Sequence, residues 1–251
     1  MMLAASCSKP YLGLKIPFVA TWGGKTIQCT DSGIALSDLR FYVSEIELID
    51  ASGSPHALEL HEEIPWQQPD LALIDLENGQ GACINGTGDT YAYLVGSVPP
   101  GEYQGLRFTV GVPFDRNHAN PLKAPAPLDD PAMHWHWRSG YKFIRAGVAT
   151  PDDGFWIHVG SAGCEGTVGN ISGCRFPNRV TVELSQYMPN SDSISVDLKS
   201  LFEGVDIDDG EATDCSSGPA ESACISPFAA LGIDFETGNR LGRQQVFSIR
   251  R

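Results

Sequence analysis

The sequence predicts an all-β protein: a single-domain antiparallel β-sandwich or flattened barrel with long loops, little helix and disulfide cross-links. Short apolar runs rich in β-branched and aromatic residues recur along the chain, and turns containing many of its 27 glycines and 17 prolines separate them. Only the segment 198–203 has the composition of a short helix. Because 251 residues with 42% hydrophobic content can bury one sizeable core, we expect one domain over 11–251 after a tail over 1–10.

The strand candidates follow one another from a first hairpin onward. Segments 11–20 and 25–28 flank Trp22-Gly23-Gly24, which is a turn signal between apolar runs. Later candidates have alternating or β-branched patterns: 39–49, 71–76, 91–98, 103–110, 133–143, 154–161, 179–184 and 193–198. The segments 39–43 and 106–110 are near copies, Leu-Arg-Phe-Tyr-Val and Leu-Arg-Phe-Thr-Val, which indicates similar strand environments.

Three segments between or after these candidates are not predicted as strands. Segment 113–131 contains five prolines and the pair Asn117-His118, and a loop of this length in a compact domain is more often functional than idle. Segment 164–174 is Gly-rich and bounded by cysteines, which indicates a cross-linked loop. Segment 226–251 has an apolar patch followed by arginines, and we expect a surface end piece there.

The charge of the chain excludes several classes of function. A net charge of −14 and a pI near 4.7 argue against nucleic-acid binding and against attachment to anionic lipid, and they are compatible with attracting cations. No apolar run approaches the length of a membrane-spanning helix. The chain also has neither a nucleotide-binding glycine loop between a strand and a helix nor a G-x-S-x-G nucleophile elbow.

Seven cysteines without a C-x-x-C pair indicate disulfides rather than a zinc cluster, and hence a protein that lies outside the cytoplasm. Cys7 follows Leu-Ala-Ala-Ser, as at the end of a lipoprotein signal, so we expect a lipidated Cys7 or, alternatively, a free thiol in a disordered tail. The other six allow 15 pairings. Short spacings favour Cys164 with Cys174 and Cys215 with Cys224, which leaves Cys29 with Cys83.

The segment 133–143 concentrates aromatic and basic side chains in one run. Alternate positions of this run carry different side chains. The odd-numbered positions include Trp135, Trp137 and Tyr141, and the even-numbered positions include His134, His136 and Lys142. An extended strand would therefore place tryptophans on one face and imidazoles on the opposite face. This pattern indicates a metal or redox surface, and the alternative is an amphipathic strand with core tryptophans and solvated histidines.

Four of the six histidines lie between positions 118 and 158, at His118, His134, His136 and His158. Imidazole suits copper, zinc and nickel, and intrinsic affinity in the divalent series favours copper. We expect His118 and His158 to be metal ligands rather than structural histidines. His56 and His61 lie apart in the sequence, and we expect them at the surface.

Several blocks, in order along the chain, carry a resemblance to a known family. They are Asp-Leu-Arg-Phe-Tyr-Val-Ser at 38–44, Gly-Val-Pro-Phe at 111–114 with Asn117-His118, Trp-x-Trp-x-x-Gly-Tyr-Lys-Phe at 135–143, His-Val-Gly-Ser-Ala-Gly-Cys at 158–164, and the late cysteines 215 and 224. This pattern, which spans about 11–228, resembles the MbnP family, the four-Cys-motif proteins of metallo-mystery pairs.

The resemblance implies a periplasmic or surface copper-binding protein that acts in copper acquisition or homeostasis and is not itself an enzyme. It implies a di-haem partner of the cytochrome c peroxidase superfamily, MbnH, which oxidises a tryptophan of the protein to kynurenine. Carried onto this chain, the modified residue is Trp135 or Trp137. The expected ligands of a Cu(I) ion are that kynurenine, His118 and His158, without an organic cofactor.

This chain departs from the family pattern by placing His134 and His136 beside the tryptophans. These imidazoles either add ligands or face solvent on the other side of the strand. Tyr141 is hypothesised to relay an electron hole towards the docked haem partner, and we expect the protein to be a monomer. Two other classes stay open. One is a carbohydrate-binding or adhesion sandwich that stacks Trp135 and Trp137 on sugar rings. The other is a mononuclear copper or zinc enzyme, but such an enzyme needs a general base, and segment 133–143 is poor in carboxylates.

Overall fold

The computed structural model describes residues 11–63, 65–151, 153–208 and 214–251. The tail 1–10, with the predicted lipidation site Cys7, lies outside the described residues. The strands in chain order are β1 (Leu12–Trp22), β2 (Lys25–Thr26), β3 (Ala35–Asp50), β4 (Pro55–Ala57), β5 (Glu59–Leu60), β6 (Gln67–Gln68), β7 (Leu71–Asp75), β8 (Tyr93–Val98), β9 (Tyr103–Val110), β10 (His134–His136), β11 (Gly140–Ala149), β12 (Gly154–Gly160), β13 (Ala162–Thr167), β14 (Asn170–Phe176), β15 (Val180–Ser185), β16 (Ser193–Asp197) and β17 (Phe247–Arg250).

Helical structure is limited to short segments in the described part of the chain. The α-helices are α1 (Phe114–Asn117), α2 (Leu198–Leu201) and α3 (Ile225–Ala230), and single 3₁₀ turns cover Gly81–Cys83, Pro121–Lys123 and Ser222–Cys224. The prediction of an all-β fold with little helix is therefore confirmed, and α2 begins where the sequence predicts a short helix. No helix within the described ranges is long and apolar enough to cross a membrane.

Two large sheets and a separate two-stranded sheet, β13-β14, make up the described part of the molecule. The first has the order β17-β16-β1-β8-β5, with β2 added to β1, and the second has the path β10-β11-β3-β7-β6, with β4, β9, β12 and β15 attached to its strands. Neither sheet closes into a barrel, so the sandwich alternative of the predicted fold is the one observed. The 16-residue strand β3 joins the second sheet together, because its first half pairs with β11 and β7 and its second half with β9 and β4.

The two sheets pack face to face over an aromatic core. Phe18 of β1 meets Phe41 of β3 and Phe108 of β9 edge to face, with ring centroids 5.5 and 6.0 Å apart. Phe247 of β17 meets the same two rings at 5.6 and 5.8 Å. The near-copy segments that contain Phe41 and Phe108 lie on β3 and β9, which pair in one sheet, so their resemblance reflects a shared environment.

A smaller apolar cluster lies under the proline-rich segment 113–131. Its buried members are Tyr42, Leu71, Leu73, Val112, Leu128, Met133, Tyr141 and Phe143. Tyr42 Oη donates to the Pro127 carbonyl at 3.0 Å, and Tyr141 Oη donates to the Leu128 carbonyl at 2.7 Å. These contacts fix the long loop on the sheet, so the residues that it carries are held against β11.

The disulfides join Cys29 to Cys83, Cys164 to Cys174 and Cys215 to Cys224, which are the pairings that the spacing favours. The prediction of a disulfide-stapled fold is thus confirmed.

Three sequence-based predictions of local structure are wrong. Segment 133–143 is not one strand, because a turn separates β10 from β11. Gly140, the first residue of β11 after that turn, has a φ of +79°. Segment 164–174 is not a loop but most of the β13–β14 hairpin, in which Cys164 lies opposite Cys174. The C-terminal segment is not a surface end piece, since β17 pairs with β16 and buries Phe247.

Candidate metal site

Trp135 and His158 meet on the side of the second sheet where the β10–β11 hairpin folds back towards β12. Their ring centroids lie 6.0 Å apart in an edge-to-face arrangement, and Trp156 on the same strand lies 5.9 Å from the His158 ring. Gly160 allows this close approach, because an added Cβ there would lie 3.2 Å from the Trp135 ring and 2.7 Å from the Tyr141 carbonyl oxygen. The indole therefore packs on the backbone of β12 beside the imidazole.

His158 has an imidazole nitrogen suited to a metal. Its Nε2 is buried and has no hydrogen-bond partner among the residues that the structure describes. Burial lowers the pKa of His158 to about 4, and the positive charges of Lys142 and Arg145 add to this effect. The ring is therefore neutral at neutral pH, which is the form in which histidine binds a metal ion.

His118, at the C-terminal end of α1, is buried against the β13–β14 hairpin. Its Nε2 lies 3.2 Å from Asn117 Nδ2 and 3.3 Å from Cys174 Sγ. Its Nδ1 is buried, and no described residue forms a hydrogen bond with it. Burial lowers the pKa of His118 below its usual value, so this ring too is neutral at neutral pH. Phe114 covers it at a centroid distance of 4.8 Å.

Asn117 fixes the position of His118 relative to the β10–β11 hairpin. Its Oδ1 accepts a hydrogen bond from the Tyr141 backbone N–H at 2.9 Å, and its Nδ2 donates to the Ser139 carbonyl at 3.0 Å. These two contacts determine which end of the amide is which. Nδ2 therefore faces His118 as a donor, and Nε2 of His118 accepts.

The remaining members of the predicted site have different neighbours. His134 lies 5.4 Å from the Tyr141 ring, and burial, His136 and Lys142 lower its pKa. His136 is exposed and packs against Trp137 at 5.4 Å, while the Arg138 guanidinium lies 4.9 Å from the Trp137 ring. Trp135 and Trp137 thus occupy different environments, which the sequence alternation does not distinguish.

A buried charge network beside the site is missing from the sequence-based prediction. Asp38, which is 1% exposed, pairs with Arg40 through Oδ2 and Nη2 at 2.5 Å and with Arg145 through Oδ2 and Nε at 3.0 Å. Arg145 also lies over the Trp156 ring at 5.3 Å. The available signal was a pair of opposite charges, Asp38 and Arg40, two positions apart in the mostly apolar run 35–43. Such charges are rarely buried unless they are paired.

One group of three potential metal ligands has the spacing of a metal site in the described ranges. The ligand atoms of His118, Cys164 and Cys174 all lie within 4.8 Å of one another. The two sulfur atoms are bonded to each other, so in this state they are not thiolate ligands. His118 contacts this disulfide, and His158 contacts Trp135 and Trp156.

Comparison with known proteins agrees with this architecture. The structure is similar to that of MbnP from Methylosinus trichosporium, with a TM-score of 0.83 and 27% sequence identity over 96% of this chain and 98% of that one. The chain matches no curated protein sequence. The family model described as MbnP matches residues 12–217, which is more than half of the chain. By this match, the chain belongs to the MbnP family.

Proposed function

We propose that this protein binds one Cu(I) ion through His158 and a kynurenine made from Trp135, with His118 as the third ligand. It is the substrate of a di-haem partner enzyme of the MbnH type and acts in copper acquisition or homeostasis outside the cytoplasm. The observation that supports this proposal best is the buried Nε2 of His158, which lacks a hydrogen-bond partner within the described part of the chain and lies next to the Trp135 ring. Three disulfides are consistent with an extracytoplasmic location.

The charges around His158 favour a singly charged ion. Lys142 and Arg145 already oppose positive charge on the His158 ring. The same two cations penalise a divalent ion about twice as much as a monovalent one, because Coulomb energy scales with charge. Imidazole and aromatic amine nitrogens in a low-coordinate site also suit Cu(I).

Oxidation of Trp135 would supply the missing nitrogen donor. Two peroxide molecules, the oxidant class of the partner's peroxidase superfamily, would supply two oxygen atoms that enter the indole and open its five-membered ring, and two water molecules would form. Hydrolysis of the resulting formamide would then release formate. The product carries an aromatic amine and a ketone and is heavier than tryptophan by about 4 Da. An indole offers no comparable nitrogen donor, so the unmodified protein should bind copper more weakly.

Trp135 is the better candidate because its ring lies beside His158, whereas Trp137 packs between His136 and Arg138. Trp135→Phe and the matched control Trp137→Phe test this choice in protein co-produced with the di-haem partner. We expect the gain of about 4 Da in the peptide containing residues 133–138 of the wild type and of Trp137→Phe, and its absence in Trp135→Phe. A mass gain at Trp137, Trp22, Trp66 or Trp156 would contradict the assignment.

The metal ligands are tested by copper titration of modified protein. His158→Ala should lose tight Cu(I) binding and still undergo tryptophan oxidation, because the partner acts on the indole and not on the metal. His56→Ala is the matched control. His56 is not part of the proposed site, and its Nε2 lies 2.9 Å from Asp50 Oδ2. Full copper affinity in His158→Ala would exclude His158 as a ligand.

The other two classes of function gain less support from the site. A sugar-binding platform would need Trp135 and Trp137 side by side, yet they contact different neighbours. A metalloenzyme would need a carboxylate base, and Asp38 next to this region is already paired with Arg40 and Arg145.

A further inference from the structure

The β13–β14 hairpin places two sulfur atoms against a histidine nitrogen. Cys164 and Cys174 lie opposite each other in the hairpin, and His118 Nε2 lies 3.3 Å from Cys174 Sγ. All three ligand atoms fall within 4.8 Å of one another. Zinc holds sulfur at about 2.3 Å and imidazole nitrogen at about 2.0 Å, so one ion needs its ligand atoms about 3 to 4 Å apart. Once the sulfur–sulfur bond is open, a small side-chain rotation brings the three atoms to this spacing.

This disulfide is more accessible than the other two. Cys174 is half-buried, and Cys164 is 5% exposed. The sulfur-bearing residues of Cys29–Cys83 and Cys215–Cys224 are all 3% exposed or less. Thiol–disulfide exchange requires a thiolate to reach a sulfur atom, so a mild reductant should open Cys164–Cys174 first.

We propose that the Cys164–Cys174 disulfide is reducible in the folded protein and that the two thiolates then form, with His118, a second site for a thiophilic d¹⁰ ion such as Zn²⁺ or Cu⁺. Its two sulfur ligands do not belong to the proposed kynurenine site at Trp135 and His158. The two sites have only His118 in common, and a metal at the cysteines would engage it.

The reaction balances with a dithiol as reductant. The dithiol supplies two electrons and two protons, the Cys164–Cys174 bond breaks to give two thiols, and the dithiol becomes a cyclic disulfide. Metal binding then releases the two thiol protons, because only thiolates are metal ligands. At His118 the ion replaces the 3.2 Å hydrogen bond from Asn117 Nδ2, and that amide keeps its contact with the Ser139 carbonyl.

The fold gives such a metal a structural effect. The hairpin is a two-stranded sheet of its own, with an exposed tip over 165–170. A two-stranded hairpin is marginally stable at best without a cross-link. A metal held by both thiolates and by His118 would replace the disulfide as the cross-link and would tie the hairpin to α1.

The test uses the folded full chain with an unmodified Trp135, so its result is independent of tryptophan oxidation. Protein is treated with dithiothreitol, desalted without oxygen and titrated with Zn²⁺ against a chromophoric chelator. Alkylation followed by peptide mass mapping identifies the cysteines that were reduced. Among the six disulfide-bonded cysteines, we expect thiols at Cys164 and Cys174 first, with one tightly bound Zn²⁺ per reduced chain and none in the oxidised chain.

His118→Gln should weaken Zn²⁺ binding by the reduced chain more than about tenfold, because even the loss of a residue that only supports a ligand costs about 10 to 100-fold. His56→Gln is the matched control and should bind as the wild type does. Circular dichroism of the reduced variants separates lost binding from lost folding. A further measurement needs only the wild type: bound Zn²⁺ should protect Cys164 and Cys174 from alkylation.

Three results would overturn the proposal: no gain of Zn²⁺ binding when mass mapping shows both thiols free, wild-type affinity in His118→Gln, or earlier reduction of either buried disulfide. None of these results bears on the kynurenine site, because the copper titration of partner-modified, oxidised protein tests that site separately.

Discussion

At the scale of single residues, Asn117 connects the proline-rich segment 113–131 to the β10–β11 hairpin. It is 2% exposed, and its amide contacts the Tyr141 N–H, the Ser139 carbonyl and His118. Asn117→Ala leaves the Tyr141 N–H and the Ser139 carbonyl without this partner, so we expect a loss of about 1 to 3 kcal/mol in the free energy of unfolding. Urea denaturation measures this loss. Asn239→Ala is the control, because Asn239 is exposed and its side chain makes only a 3.4 Å bond to Thr237. Equal stability of the two variants would contradict a role for Asn117.

His158 predicts a dependence of stability on pH. Its folded-state pKa is lowered from 6.5 to about 4, first by burial and then by Lys142 and Arg145. Between these values the unfolded chain binds a proton that the folded chain does not, so stability falls as the pH drops from 6.5 towards 4. We expect a contribution on the order of 1 to 3 kcal/mol. The measurement compares urea midpoints at pH 4.5 and 7. His158→Gln should lack the part of the pH-dependent loss of stability that is due to His158. An unchanged pH dependence in the variant would contradict a buried neutral imidazole.

Tyr141 bears on how the tryptophan is oxidised. Its Oη donates to the Leu128 carbonyl at 2.7 Å, and burial raises its pKa to about 12. A carbonyl is a poor proton acceptor, so loss of an electron from this phenol lacks a base to take its proton. We therefore expect Tyr141→Phe to change the partner's oxidation rate at Trp135 by no more than about twofold. A twofold change in rate corresponds to about 0.4 kcal/mol in the activation barrier. A much larger decrease, measured as mass gain over time, would restore the relay hypothesis.

The sequence could identify candidate site residues but not their partners. His118, His158 and the tryptophans carry metal and redox chemistry in their side chains, so residue type and proximity along the chain were enough to single them out. The distinction between Trp135 and Trp137 depends on β12, which follows them in the sequence. The contact between His118 and Cys174 spans 56 positions and leaves no local pattern.

At the scale of elements, the turn between β10 and β11 depends on Gly140. Its φ is +79°, and an added Cβ would lie 2.3 Å from the Asn117 carbonyl oxygen. Gly24 has a similar φ of +81° and open space around it. Gly24→Ala should cost about 1 kcal/mol from backbone conformation alone. Gly140→Ala should cost at least about 2 kcal/mol more, because backbone atoms must move. Equal midpoints in urea would show that the close approach does not matter.

The same turn explains where sequence reasoning failed at this scale. Alternation of side chains holds across His134, Trp135 and His136, and it cannot reveal that the chain reverses at Gly140. The β13–β14 hairpin has few apolar residues because it belongs to neither large sheet, so its sequence lacks the alternation of a half-buried strand. Strands such as β9 and β15 bury one face on the core and were predicted close to their observed bounds.

At the scale of the whole molecule, composition was sufficient for the fold class and insufficient for the topology. Frequent turns and β-branched runs specify strands, but pairing between distant strands has no local signal. The parallel pairing of β1 with β16 joins residues such as Phe18 and Ile194. The burial of Phe247 depends on this sheet, which is why a C-terminal strand was mistaken for a surface segment.

The disulfides allow a test of how the whole fold is stabilised. Cys29–Cys83 and Cys215–Cys224 are equally buried, but they close loops of very different length, with sequence separations of 54 and 9. In the chain-entropy account, a cross-link stabilises by restricting the unfolded chain, and longer loops gain more: about 4.2 kcal/mol for the first bridge and about 2.6 kcal/mol for the second. Replacing each pair by alanines removes two buried sulfur atoms in both cases, so the packing losses are comparable. We expect the Cys29→Ala/Cys83→Ala protein to be the less stable of the two by about 1.5 kcal/mol in urea denaturation, provided that both variants unfold in two states. A larger loss from the Cys215–Cys224 bridge would show instead that this bridge acts mainly in the folded state, by holding the segment around Cys215 on β12.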